Sequence, residues 1–149
     1  MTDIERLVAI EEIKKLKARY YRFLDTKQWD DFENVFAPDA VMDMRGPDRI
    51  LESEAGVYKG ASIIRQFAER AIGAGTSTDR AFLPEIEILS PTSARAIWAQ
   101  EDKVTWPPGH ENAVLEGFGH EYESYERIDG EWKIQSTCLV RVSVKMTRS

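Results

Sequence analysis

Residues 10–36 read IEEIKKLKARYYRFLDTKQWDDFENVF. Ile10, Ile13, Leu16, Tyr20 and Leu24 recur at steps of three and four, which is a helical stripe turned toward a core. The stripe runs out at Asp25, and a short second helix starts at Trp29 with Phe32 and Phe36 on its apolar side. Toward the N-terminus, Thr2 and Glu5 have capping-box spacing, so the first helix begins at Asp3. Ile4, Leu7 and Val8 fall on the other side of that helix, an apolar edge suited to a partner subunit.

Downstream, Ala40 to Met44 reads as a short strand. Residues 45–59, RGPDRILESEAGVYK, read as a loop or lid with room for a short strand. Gly60 opens a third helix whose buried face is Ile63, Ile64, Phe67 and Ala71, and Gly73 and Gly75 end it. The second half is strand. Residues 80–89 and 93–106 alternate around the turn SPTS, WPPGHEN is a longer loop, and 113–126 and 131–144 form a hairpin closed by Asp129-Gly130. Helices first and long antiparallel strands afterwards give an α+β fold. Three helices cannot cover both faces of such a sheet. A strongly curved sheet wrapped around a helix solves the burial problem and leaves a conical interior, a default small-molecule site.

The chain of 149 residues fits a single domain over 1–149, and 42% apolar content is enough for a core. A net charge of −6 with no basic stripe argues against nucleic acid or an anionic membrane as partner. MTDIERLVAIEE lacks the charge and apolar pattern of a signal peptide, and no apolar run is long enough to span a bilayer. One cysteine, Cys138, rules out an internal disulfide and fits a reducing cytoplasm. No CxxC, HExxH or paired-histidine spacing points to a metal, and no cofactor is expected.

Several residues can carry chemistry. Asp25, at the end of an apolar-faced helix, is placed for partial desolvation, which raises a carboxyl pKa toward a useful range. Tyr21, four residues earlier, shares its helical face, whereas Tyr20 lies on the apolar stripe. Asp102 alternates with Gln100, Trp98 and Val104 on one strand face, and Trp98 marks that face as interior. Asp79 and Arg80 point to opposite sides of a regular strand, and Pro84 signals a bulge that resets parity, so either could enter the interior. His120 shares a face with Phe118, Tyr122 and Ser124, while Glu121 and Glu123 face the other way. The aromatic walls Trp98, Phe118, Tyr122 and Trp106 suit a flat hydrophobic substrate.

Three segments, IEEIKKLKARYYRFLDTKQWD, FLPEIEILSPTSARAIWAQEDKV and GFGHEYESYERIDGEWKI, occur in an order and spacing that resemble a SnoaL-like domain of the NTF2-like superfamily. The resemblance is greatest to the bile-acid 7α-dehydratase type. It extends to scytalone dehydratase, a hexachlorocyclohexane dehydrochlorinase and ketosteroid isomerases. It implies a cone fold, a homodimer or homotrimer, and elimination or isomerisation of a hydrophobic hydroxylated polycyclic or aromatic small molecule without a cofactor. It also implies a catalytic tyrosine at Tyr20 and aspartates at Asp25 and Asp102. A histidine of that pattern would stand where this chain has Asp79, so Asp79, or His120 from another wall, is the substitute. Asp25 and Asp102 are then expected to titrate as a coupled pair, with Asp25 or His120 as base and Tyr20 or a protonated carboxyl as donor. Arg80 and Tyr21 join the substrate-binding set. The expected activity is that of a dehydratase, a retro-aldol lyase or an isomerase, and a non-catalytic binding or dimerisation module is the rival.

Overall fold

The computed structural model describes residues 1–46 and 54–149. Helix α1 spans Asp3–Asp25, and Thr2 caps it with the reciprocal Glu5 bond that the sequence predicts. Helix α2 is Trp29–Asn34 and α3 is Ala61–Ile72. Six strands follow or interleave: β1 Phe36–Asp43, β2 Val57–Lys59, β3 Thr76–Ser90, β4 Ser93–Thr105, β5 Asn112–Ile128 and β6 Glu131–Arg148. They form one curved sheet in the order β2-β1-β6-β5-β4-β3. Among the described strands only β1 with β6 is parallel. The fold is α+β, a mostly antiparallel sheet wrapped around its N-terminal helices. Of the expected loop over 45–59, residues 57–59 are β2, and residues 47–53 lie outside the described residues.

The β5–β6 hairpin turns at Asp129 and Gly130, with φ of 50° and 82°. Two successive positive φ values are what a type I′ turn requires, and its twist matches the strands. On β3 the ladder with β4 slips between Phe82 and Glu85, where Leu83 has φ 49°. This bulge resets parity: Ser77 and Asp79 face inward before it, and Ile86 and Ile88 face inward after it.

Helix α1 crosses the concave face, and Ile13, Leu16 and Tyr20 bury against Phe32, Phe36 and Ile134. The buried stripe also contains Lys17, whereas Ile10 and Leu24 stay partly buried. Ile4, Leu7 and Val8 are exposed, as their side of the helix requires. The buried face of α3 is Ala61, Ile64, Ala68 and Ile72, and the expected Ile63 and Ala71 lie on its exposed side. No helix among the described residues is long and apolar enough to cross a membrane.

Candidate active site

The interior between α1, α3 and the sheet encloses a cavity of about 280 Å³. Its apolar wall includes Leu24, Met42, Phe67, Ile72, Leu115 and Leu139. Its polar wall comes from α1 (Tyr20, Tyr21), β3 (Ser77, Asp79), β4 (Gln100, Asp102), β5 (Glu121) and β6 (Thr137, Arg141).

Where α1 ends, Asp25 reaches β3. Its carboxylate accepts from Ser77 Oγ at 3.0 Å and from the Asp79 backbone N–H at 3.0 Å. The Asp79 side chain turns inward and is 5% exposed. Burial, then a side-chain hydrogen bond to Asp25 and the Asp25 charge, push the Asp79 carboxyl up to about 9. Asp79 therefore carries its proton at neutral pH. Arg80 points outward, its Nη1 3.8 Å from Asp25 and its side chain 64% exposed.

Beneath α1 lies a buried ionic cluster. Lys17 Nζ donates to Glu121 Oε1 at 3.1 Å and to Glu123 Oε2 at 2.8 Å. Burial opposes the Lys17 charge, and the two carboxylates outweigh it, holding its pKa above the ordinary lysine value. Thr137 Oγ1 and the Tyr125 hydroxyl also donate to Glu123, and Trp98 Nε1 donates to Tyr125. The Tyr21 hydroxyl donates to Glu121 Oε1. Burial pushes the Glu121 carboxyl up, and Lys17 partly offsets that. Burial, then Glu121, hold both Tyr20 and Tyr21 well above the ordinary phenol range, so both remain hydroxyls.

On the far wall, Arg141 grips Asp102 through two bonds, Nη1–Oδ1 at 2.7 Å and Nη2–Oδ2 at 2.9 Å. Gln100 Nε2 adds a third at 3.0 Å. Gly117 makes this grip feasible, because a Cβ there would fall on the Arg141 guanidinium and 2.6 Å from Asp102 Oδ1. Among the described residues no group of three or more His, Cys, Asp or Glu is arranged to hold a metal.

A family model described as SnoaL-like domain matches residues 5–137. The chain belongs to this family. A similar protein is "Probable cyclase FGR4" of Gibberella zeae, 26% identical over 90% of this chain and 91% of that one. Among solved structures, this SnoaL-like domain is similar to a protein proposed as a scytalone dehydratase from Novosphingobium aromaticivorans. The TM-score is 0.83 at 15% identity, over 97% of this chain and 91% of that one. It is also similar to hexachlorocyclohexane dehydrochlorinase LinA-type3 from Novosphingobium barchaimii, with a TM-score of 0.80 at 17% identity over 97% and 94% of the two chains.

The SnoaL-like interior brings together Tyr20, Tyr21, Asp79, Asp102 and Trp106, with Asp25 directly behind Asp79. Several pairings differ from the sequence expectation. Neither tyrosine bonds Asp25: Tyr21 bonds Glu121, and the Tyr20 ring packs on Phe32 at 5.3 Å. Asp25 pairs with Asp79 and not with Asp102, which Arg141 holds. His120 is exposed on the outer face of the sheet with Phe118 and Tyr122, which are 50% and 47% exposed. The interior face of β5 is the Gly117–Gly119–Glu121–Glu123 side, since only glycines leave room there for Arg141 and the β6 backbone. Trp98 is buried against an outer groove between α1 and β3, and Arg80 stands at that groove's rim. Trp106 does reach the cavity, bonds the Ile72 carbonyl at 3.1 Å and stacks on His110 at 5.0 Å. Sequence reasoning missed Lys17, Gln100, Glu121, Glu123 and Arg141. Lys17 within a helical core stripe and Arg141 within an apolar run were the visible signals.

Lys17→Met leaves two buried carboxylates without their cation and is expected to cost about 3–5 kcal/mol in urea unfolding. Gly117→Ala is expected to break the Arg141–Asp102 pair, destabilising by at least about 1 kcal/mol, and calorimetry would register it. Asp79 binds a proton in the folded state that the unfolded chain releases above its ordinary pKa of about 3.9. Its contribution is whole below that value, declines as pH rises, and is gone above about 9. Asp79→Asn removes this dependence. The stability of the variant relative to wild type should therefore grow with pH between 5 and 8, by up to about 1.4 kcal/mol per unit. A relative stability independent of pH would show that Asp79 is ionised.

Proposed function

We propose that this SnoaL-like domain is a cofactor-independent lyase that removes water from a compact hydroxylated ring compound by general acid–base chemistry. One observation carries the reading. A carboxyl that keeps its proton to about pH 9, on Asp79 with Asp25 behind it, faces an apolar cavity. A neutral carboxyl at pH 7 can donate to a leaving hydroxyl or to a carbonyl oxygen on which charge develops. The Tyr20 hydroxyl has no hydrogen-bond partner among the described residues, lines the same cavity, and is a second donor to a substrate oxygen. The matches at Tyr20, Asp25 and Asp102 support a reaction of the bile-acid 7α-dehydratase type, with Asp79 in the place of its histidine.

The cavity bears on the substrate. About 280 Å³ is at the lower edge of the ~300–1,000 Å³ typical of drug-sized ligands, which favours one or two rings over a four-ring skeleton. The two solved relatives are named for a dehydratase and a dehydrochlorinase, both eliminations by name, and this supports loss of water. Association into a homodimer or homotrimer belongs to the same proposal. Such a contact would cover the exposed Ile4, Leu7 and Val8 on α1 and Phe118, Tyr122 and Val142 on the sheet.

Mass spectrometry of the protein with a panel of one- and two-ring β-hydroxy ketones and hydroxysteroids tests the reading. Loss of water from a small member is expected, falling about 10²–10⁴-fold in Asp79→Asn. The wild-type rate should fall on the alkaline side near pH 9, where Asp79 loses its proton. Loss of a small carbonyl would assign a retro-aldol lyase, and an isomer of unchanged mass a ketosteroid-isomerase-like activity. Retention of ligands without turnover would point to a binding module.

A further inference from the structure

The lyase reading supplies an acid and leaves the base unassigned. Neither histidine reaches the cavity: His120 is on the outer face of β5 and His110 is exposed in the loop after β4. Asp102 is committed to Arg141 and Gln100 through both of its oxygens.

Glu121 differs. Both bonds that it accepts, from Lys17 and from Tyr21, end on Oε1. Among the described residues Oε2 accepts none, and the side chain lines the cavity. Glu123 belongs to the same cluster and makes an internal comparison. Its Oε2 accepts from Lys17 and Thr137, its Oε1 accepts from Tyr125, and it does not line the cavity. One carboxylate of the pair is saturated. The other has an oxygen that accepts no bond among the described residues, on a side chain that lines the cavity, and Lys17 partly offsets the burial that raises its carboxyl.

We propose that Glu121 is the general base of this site, taking a proton from a carbon beside the substrate carbonyl through Oε2. The proposal rests on the lyase reading. In the step, the C–H electron pair becomes the new C=C bond. The C–O bond breaks toward oxygen, and that oxygen takes the Asp79 proton and departs as water. Glu121 ends protonated and Asp79 ionised, and transfer of one proton back through water resets the site. The substrate class follows: a β-hydroxy carbonyl compound whose acidic C–H faces β5 and whose hydroxyl faces β3.

2-Naphthol tests the base without turnover. It is a two-ring hydroxyl compound that becomes a strong acid on excitation, and in a water-poor pocket its proton passes only to an acceptor in hydrogen-bond contact. Bound to excess wild-type protein it should emit as naphtholate. In Glu121→Gln the ratio of anion to neutral emission should fall about tenfold or more, with affinity changed only a few-fold. Glu123→Gln removes one carboxylate from the same cluster but none from the cavity wall, and it should keep the anion band. Glu121→Asp keeps the charge but draws the oxygen back by one carbon. It should lower the anion band too, and it serves if Glu121→Gln fails to fold. The proposal is overturned if naphthol does not bind, if wild type emits only from neutral naphthol, if Glu121→Gln keeps the anion band, or if Glu123→Gln loses it equally. A Glu121-dependent anion band with no dehydration of any ketone would keep the base and sink the lyase reading. Dehydration that Asp79→Asn abolishes and Glu121→Gln leaves intact would do the reverse.

Discussion

Lys17 is 1% exposed and sits between two buried carboxylates, and the arrangement of the interior depends on that contact. A cation placed there has no solvent to turn to, so α1 can lie at only one depth and one rotation on the concave face. Buried ion pairs are weak as net stabilisers, and here a slipped register of α1 would strand a buried charge, which costs several kcal/mol, about 3–5 when one partner is lost. Once Lys17 is seated, the next turn puts Tyr21 on Glu121 and Tyr20 into the cavity. The turn after that delivers Asp25 to Ser77 and Asp79. The cluster thus sets where Asp25 meets Asp79, at a distance from that pair.

Charge balance explains why the proton rests on Asp79. Five carboxyls (Asp25, Asp79, Asp102, Glu121 and Glu123) surround this interior, against the buried Lys17 and the half-buried Arg141. Lys17 is shared by the two glutamates, of which burial also pushes Glu121 up, and Arg141 serves Asp102. The two aspartates left over lie side by side, and the nearest cation, Arg80, is largely in solvent. Two like charges in a poorly polarisable environment cannot both persist, so one carboxyl keeps its proton. The more deeply buried member, Asp79, is the one that keeps it. The proton on Asp79 therefore follows from who its neighbours are.

The fold was readable where periodicity is local. The capping box at Thr2–Glu5, the α1 stripe, the Asp129-Gly130 hairpin and the interior side of β4 all follow from spacing within one element. The face of β5 was not. Aromatic residues at Phe118 and Tyr122 suggested an interior, while the informative residues were Gly117 and Gly119, whose lack of a side chain only makes sense opposite a crowded β6. Asp79 against Arg80 hinged on a bulge that Pro84 signals but does not position, and one slipped residue reverses every side chain. The ionic cluster lay furthest out of reach, because Lys17 and Glu121 are separated by 104 positions.

An aspartate where the family resemblance implies a histidine changes the terms on which the site works. Imidazole titrates near neutrality with little help from its surroundings. A carboxyl becomes an acid at pH 7 only while water is kept away and a second carboxylate sits beside it. Under the lyase reading, the strength of Asp79 as a donor is therefore a property of its burial and of Asp25. An apolar ring packed on Leu24, Phe67 and Trp106 would add to the burial that already holds the proton on Asp79.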